Sequence, residues 1–183
     1  MGVRVPKPVL IVVAIALVGL LGWGGWVWTH PTLLPHGSLG MEVSGYTRPV
    51  ADGTLNVEVA TPEENVKAET ITFDSASARF SSNTAAARAT FSICIPHPGS
   101  KVSLANGYGD LSEYCSQVVP IRGGTTMRWA DDPDPRYIIL TITPHRPGKA
   151  VVDRVSFSYS RSWKHFKQHG TSHASTRIVV RAR

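Results

Sequence analysis

Residues 137–161, YIILTITPHRPGKAVVDRVSFSYSR, decide the fold class of this chain. Two apolar-rich runs, 137–143 and 151–161, flank the turn-forming triplet 146–148, and the second run alternates apolar with polar residues. Alternation with a period of two is typical of a strand with one buried face, and Pro-Gly is typical of the turn between two strands. The stretch therefore predicts two consecutive β-strands joined by a turn.

The same pattern continues outward through most of the chain. Leu55, Val57 and Val59 alternate with polar residues, and further strands are predicted over 70–73, 87–95, 114–121, 125–130 and 176–181. The alanine-rich stretch 85–89 could instead form a helical turn. About eight short strands separated by Gly and Pro predict an all-β fold, a single antiparallel β-sandwich of immunoglobulin-like architecture over residues 39–183.

The C-terminal part of the chain resembles a known type of domain. Its Pro147-Gly148 turn leads into a strand that ends in Tyr159, and a final hairpin follows. This arrangement resembles the end of the Ig-like domain in uncharacterised, actinobacterial-type single-pass membrane proteins of high-GC Gram-positive bacteria. The resemblance implies a β-sandwich outside the membrane. Such families carry no assigned activity, so it transfers no functional residue.

The N-terminal segment 9–28, VLIVVAIALVGLLGWGGWVW, contains no charged residue. As a helix it would span roughly 30 Å of hydrocarbon. Arg4 and Lys7 precede it and the next cation is Arg48, an asymmetry that keeps the N-terminus inside. We therefore predict a single-pass cell-membrane protein with a cytoplasmic N-terminus (1–8), a transmembrane helix (9–28), a linker (29–38) and an extracellular domain (39–183). The alternative is a cleaved secretory signal.

Two cysteines, Cys94 and Cys115, lie in the part of the chain predicted to face an oxidising exterior. They are predicted to form a disulfide, and the alternative is a reactive or metal-binding thiol pair. A bridged thiol cannot act as a nucleophile. The sequence also lacks the G-x-S-x-G, H-E-x-x-H, P-loop and dinucleotide-binding motifs. We expect neither enzymatic activity nor a cofactor.

Three histidines, His165, His169 and His173, recur every four residues. On a helix they would line one face as candidate Zn²⁺ or Cu²⁺ ligands, which gives an alternative function as an envelope metal-binding protein. The other interpretation follows from Gly170, which favours a hairpin between strands ending near 161 and starting near 175. In that arrangement the histidines are solvated on the hairpin tip and need not converge.

Charge is distributed unevenly along the sequence. Residues 144–183 contain nine basic residues and one acidic residue, Asp153, whereas residues 38–143 contain eight basic and twelve acidic residues. A basic surface could bind anionic lipid headgroups, wall polymers or an acidic envelope protein, and the predicted location argues against nucleic acid. Alternatively, the two halves pair their charges across strands. The nine basic residues are Arg146, Lys149, Arg154, Arg161, Lys164, Lys167, Arg177, Arg181 and Arg183. The sequence thus predicts a membrane-anchored, non-catalytic interaction or accessory module of the cell envelope.

Overall fold

The computed structural model describes residues 7–29, 34, 37–47, 53–61, 68–98, 107–129, 136–163 and 166–183. Within these residues, one α-helix precedes ten strands and one short 3₁₀ helix, Leu111–Glu113. The elements are α1 (Lys7–Thr29), β1 (Gly37–Thr47), β2 (Leu55–Ala60), β3 (Glu69–Asn83), β4 (Arg88–Pro96), β5 (Gly107–Tyr108), β6 (Cys115–Pro120), β7 (Thr126–Trp129), β8 (Tyr137–Thr143), β9 (Gly148–Trp163) and β10 (Phe166–Ala182).

The strands form two five-stranded sheets that share a core. Sheet A has the order β1-β10-β9-β3-β7, and sheet B has the order β5-β2-β8-β4-β6. Phe157 of sheet A lies between them, with its ring centroid 6.3 Å from that of Phe73 and 5.4 Å from that of Phe91 in sheet B. Trp129 and Leu140 are among the fully buried side chains around these rings. The predicted β-sandwich is confirmed.

The prediction that every strand pairs antiparallel is wrong at one place. β1 pairs in parallel with β10, from Gly37 opposite Ala174 to Thr47 opposite Ala182. This pair joins the N-terminal and C-terminal strands of the domain, so no short turn constrains their relative direction. β1 begins two residues before the predicted start of the domain, and β10 begins at Phe166 rather than near 176.

The alanine-rich stretch 85–89 does not form a helical turn: residues 85–87 lie in the turn between β3 and β4, and residues 88 and 89 begin β4. The Asn83 side chain closes this turn, because its Nδ2 donates to the Ala87 carbonyl at 2.9 Å and its Oδ1 accepts from the Ala87 N–H at 2.7 Å. Ala86 adopts a positive φ of 48° between them. A side-chain amide that replaces backbone partners in this way stabilises a turn over a helix.

Gly148 lies where the start of β9 approaches the same turn. The Thr84 N–H donates to the Lys149 carbonyl at 2.8 Å, and the Lys149 N–H donates to Thr84 Oγ1 at 2.8 Å. These bonds hold the two backbones so close that a Cβ on Gly148 would lie 2.8 Å from the Thr84 carbonyl carbon. Gly148 also has a φ of +148°, so both space and backbone conformation require glycine here.

The predicted disulfide is confirmed. Cys94, in β4, is bonded to Cys115 at the start of β6. Both cysteines are buried, and they form a second, smaller hydrophobic cluster with Ile139. Leu111 and Tyr114 pack against this cluster, so the bridge holds the segment around the 3₁₀ helix on the outer face of sheet B.

Helix α1 carries exposed apolar side chains. Its described side chains run from Val12 to Trp26, and they include Leu21 at 74% and Val18 at 71% relative exposure. Among the described residues, no helix is both long and apolar enough to cross a membrane. The transmembrane helix predicted over 9–28 is therefore not confirmed and stays a prediction.

Candidate functional site

The outer face of sheet A places short polar side chains from three strands side by side. In antiparallel strands, directly opposed residues point to the same face, and successive residues alternate between faces. Tyr159 and Phe157 of β9 are buried in the core, so the serines that alternate with them face outward. The register then gives three rows across β3, β9 and β10: Thr72–Ser160–His169, Ser75–Ser158–Thr171 and Ser77–Ser156–His173. We call these nine residues the hydroxyl face.

The hydroxyl face consists of seven hydroxyl groups and two imidazoles. Eight of the nine residues are exposed or half-buried, and Ser160 is buried. Neighbouring side chains are separated by about 4.8 Å across strands and about 6.7 Å along a strand. Short side chains lose little rotamer entropy on binding, so the face can form several hydrogen bonds to an oxygen-rich ligand lying flat on it.

The two histidines of the face stand apart on one extended strand. His173 Nδ1 lies 2.9 Å from Ser156 Oγ, and His169 Nδ1 lies 3.6 Å from Asp74 Oδ2. Four residues along a strand correspond to about 13 Å, too far for two imidazoles to bind one metal ion. His165 lies outside the described residues, within which no metal-binding group of three His, Cys, Asp or Glu residues occurs. The predicted hairpin is present, but His169 and His173 lie within its strand and not at its tip.

One end of the same face of sheet A carries cations. Arg79 of β3 is opposed to Arg154 of β9, one step beyond the row that contains Ser77. Further along, Lys149 is opposed to Arg181, next to the buried pair formed by Ala150 and Val180, so both point outward. Arg177 points outward for the same reason, next to the buried Ile178. We call these five residues the basic end: Arg79, Lys149, Arg154, Arg177 and Arg181.

Two carboxylates partly neutralise the basic end. Arg79 Nε donates to Asp153 Oδ1 at 2.9 Å, and its Nη2 donates to Asp153 Oδ2 at 2.5 Å. These side-chain hydrogen bonds raise the pKa of Arg79 and lower the pKa of Asp153. Arg177 Nε donates to Glu42 Oε1 at 3.0 Å. Charges of the two sequence halves thus pair across strands at these positions.

The remaining members of the predicted basic surface do not all share this face. Arg161 is opposed to Ile71, which is fully buried, so its side chain points to the core side of sheet A. There it donates to Glu69 Oε2 at 2.5 Å and to Gln168 Oε1 at 2.6 Å. Arg146 lies in the turn before β9 and donates to the Thr84 carbonyl. Lys164 lies outside the described residues, as does the side chain of Lys167, and Arg183 is the exposed last residue.

Sequence reasoning missed the hydroxyl face, although part of its signal is visible. Ser156, Ser158 and Ser160 alternate with Phe157 and Tyr159 in one strand, and this spacing fixes which serines face outward. The sequence does not specify the register between β3 and β9, which are separated by about 80 residues along the chain. That register is what brings the serine-rich segments together.

Sheet B carries one carboxylate with an unusual environment. Glu58 of β2 is opposed to Ile139 on the outer face of the sheet and is half-buried. Its Oε2 atom is buried and has no hydrogen-bond partner among the described residues. Burial therefore raises the pKa of Glu58. The pKa of Tyr137 is raised as well, by burial and by the charge of Glu58.

Fold and site together define a disulfide-linked β-sandwich domain with a polar, hydroxyl-rich sheet face. No protein-family model and no curated protein matches the chain. Among solved structures, it is similar to CfaE, the adhesive subunit of the CFA/I fimbria of enterotoxigenic Escherichia coli, with a TM-score of 0.32 and 10% identity. The similarity covers 79% of this chain and 46% of that one, so the chain spans less than half the length of CfaE. A likeness at this level carries no inference about function.

Proposed function

We propose that this chain is a non-catalytic binding module that holds a linear anionic polymer against the outer face of sheet A. The observation that carries the proposal is the composition of this face. Its hydroxyl groups can donate to phosphate or carboxylate oxygens, and the basic end provides the charge that attracts them. Binding of this kind needs no nucleophile, metal or enclosed active site.

The cations of the basic end are spread along the length of β1. β1 follows α1 in the sequence, starts opposite Ala174 and ends opposite Ala182. Arg154 is opposite Ser175, which pairs with Ser38 near the start of β1, whereas Lys149 is opposite Arg181, which pairs with Tyr46 near its end. A row of cations along the sheet suits an extended anionic polymer, which can contact them one after another.

Membrane anchoring through α1 is part of the same proposal. It is supported by the exposed apolar side chains of residues 12–26 and by the cations Arg4 and Lys7 on one side only. The domain would then lie outside the cell membrane, where a disulfide is stable. A tag fused after Arg183 should react with an impermeant reagent on intact cells. Reaction only after permeabilisation would contradict this orientation.

Polymer binding can be tested with the full chain in neutral phosphatidylcholine nanodiscs. Inorganic polyphosphate is the probe and dextran the uncharged control. We expect polyphosphate to bind at low ionic strength and to be released at about 0.5 M salt, where the Debye length is about 4 Å. The double variant Lys149→Gln/Arg154→Gln and the variant Thr171→Glu should each weaken binding about tenfold or more, because they remove cations or place a carboxylate in the hydroxyl face.

The matched control is Arg88→Gln, which removes an exposed arginine from β4 of sheet B. It should leave polyphosphate binding unchanged. Equal losses in this control and in the sheet A variants would show that only net charge matters and would contradict the assigned face. Binding to phosphatidylglycerol nanodiscs without binding to polyphosphate would replace the polymer with a lipid surface.

A further inference from the structure

A concave surface lies on the opposite side of the sandwich, on the outer face of sheet B. It is a groove of about 600 Å³ between the segment around the 3₁₀ helix and strands β2, β6 and β8. The disulfide borders it, because Cys115 is one of its lining residues. This volume falls within the range of roughly 300–1,000 Å³ that is typical of small-molecule sites.

Three hydroxyl groups of the groove already donate to protein acceptors. Thr141 Oγ1 donates to Asn56 Oδ1 at 2.7 Å, and Thr54 Oγ1 donates to the Gly109 carbonyl at 3.2 Å. Ser116 Oγ donates to the carbonyl of Ile95 at 3.0 Å. A hydroxyl group has one proton and two lone pairs. These side chains therefore offer acceptor lone pairs to anything that enters the groove.

The Asn56 amide and the Asp110 carboxylate strengthen the preference of the groove for ligands that donate hydrogen bonds. Asn56 is 3% exposed, and its Nδ2 donates to the Gly109 carbonyl at 2.9 Å. Asp110 Oδ1 accepts from the Ser112 N–H at 2.9 Å, which lowers the pKa of Asp110. Among the described residues that line the groove, none is Lys or Arg. The groove thus favours a ligand rich in donors and disfavours an anion.

Apolar side chains complete the lining. Val118 of β6 is 37% exposed, and Leu111 of the 3₁₀ helix is half-buried on the other wall. Apolar C–H groups of a ligand could pack against them while its hydroxyl groups donate to the acceptors. A neutral saccharide combines both kinds of surface in one molecule. A simple cation would use only the exposed carboxylate, where solvent screening is strong.

We infer that the groove on sheet B is a binding site for a neutral saccharide of one or two sugar rings. The inference goes beyond the proposed polymer binding and does not rest on it, because the two surfaces lie on different sheets and have opposite hydrogen-bonding character. The chemistry of the groove also gives it a selectivity that the hydroxyl face lacks: hydroxyl-rich neutral ligands bind and anions do not.

The test measures binding of cellobiose and of N,N′-diacetylchitobiose by calorimetry. The full chain is used in phosphatidylcholine nanodiscs, because maltoside or glucoside detergents would themselves compete for a saccharide site. We expect saturable binding of at least one disaccharide in the micromolar to millimolar range, and no competition by inorganic phosphate. Absence of saturable binding of both sugars up to about 20 mM would overturn the inference.

Two variants test whether the disaccharide binds in the groove. Val118→Asp adds a charge to an exposed wall and should weaken binding about tenfold, and Asp110→Asn removes an anionic acceptor and should weaken it several-fold. Arg88→Gln, on sheet B but outside the groove lining, is the matched control and should have no effect. Unchanged affinity in both groove variants would overturn the assignment. Polyphosphate binding by Val118→Asp should equal that of the unaltered chain, so failure of one proposal can be told from failure of the other.

Discussion

Reduction of the Cys94–Cys115 disulfide should destabilise the domain by a predictable amount. The two cysteines are 21 residues apart in the sequence. On the chain-entropy model, a closed loop of this length lowers the entropy of the unfolded chain enough to contribute about 3.4 kcal/mol to stability at 25 °C. This free energy corresponds to a roughly 300-fold change in the ratio of folded to unfolded molecules. For a domain of this size, the melting temperature should fall by about 10 °C.

The assay is urea unfolding of the full chain in nanodiscs with and without dithiothreitol. Unfolding is followed through the change in tryptophan fluorescence as the fully buried Trp129 becomes exposed. Reduced protein should unfold at lower urea, and its m-value should rise because the unfolded chain becomes more expanded. A Cys94→Ala/Cys115→Ala variant should be insensitive to the reductant, which controls for effects of the reagent. A loss below about 1 kcal/mol on reduction would refute the argument from loop closure.

Three further predictions concern single side chains. Gly148→Ala should lower the free energy of unfolding by about 2–4 kcal/mol, because it adds both a steric clash and backbone strain. Gly124 has a φ of +87° but open space around it, so Gly124→Ala should lower the free energy of unfolding by only about 1–2 kcal/mol in the same assay. Glu58→Gln should raise the stability of the domain at neutral pH. The unaltered chain should gain stability as the pH falls from 7 to about 4.5, because a raised pKa of Glu58 in the folded state means that protonation favours folding, and the variant should lose this gain. Parallel pH profiles of the two proteins would contradict this prediction. Arg161→Met should lower the free energy of unfolding by about 1–2 kcal/mol, because it removes the donors to Glu69 and Gln168. Arg154 is exposed, so Arg154→Met should change stability by less than about 0.5 kcal/mol. Equal effects of the two variants would refute the difference in placement.

The sequence predicted the elements of the fold better than their arrangement. Alternation over 55–59 identified β2, and the apolar-rich run 137–143 identified β8. The start of β10 was misplaced because Gly170 was interpreted as a turn residue. In the structure Gly170 lies within the strand, opposite Tyr159 and on the core side, and is itself buried. A glycine in a strand leaves room for a large aromatic side chain on the opposite residue, and local turn propensity does not take this packing into account.

Charge was the least predictable property, because pairing depends on register. The run of cations after residue 144 suggested a single basic surface. The fold directs Arg161 toward the core side, where it meets Glu69 of β3, and brings Arg177 next to Glu42 of β1. Both acidic partners lie about 90 or more residues away in the sequence. Only the long-range pairing of strands decides which cations stay available for a ligand.

The two outer faces of the sandwich make opposite demands on a ligand, and this difference constrains any function. Sheet A exposes cations and hydroxyl groups, which suits an anionic chain. Sheet B offers acceptors around Asp110 and Asn56, which suits a hydroxyl-rich neutral group. A single polymer that alternates charged and sugar units could therefore engage both surfaces, and linkage of the two sites on one ligand would raise its apparent affinity above that of either fragment.

The disulfide supports only one of the two surfaces, because it holds the groove segment on sheet B and has no contact with the hydroxyl face. Reduction under conditions where the domain stays folded should then weaken disaccharide binding while polyphosphate binding persists. Equal loss of both would mean that the two surfaces are not independent.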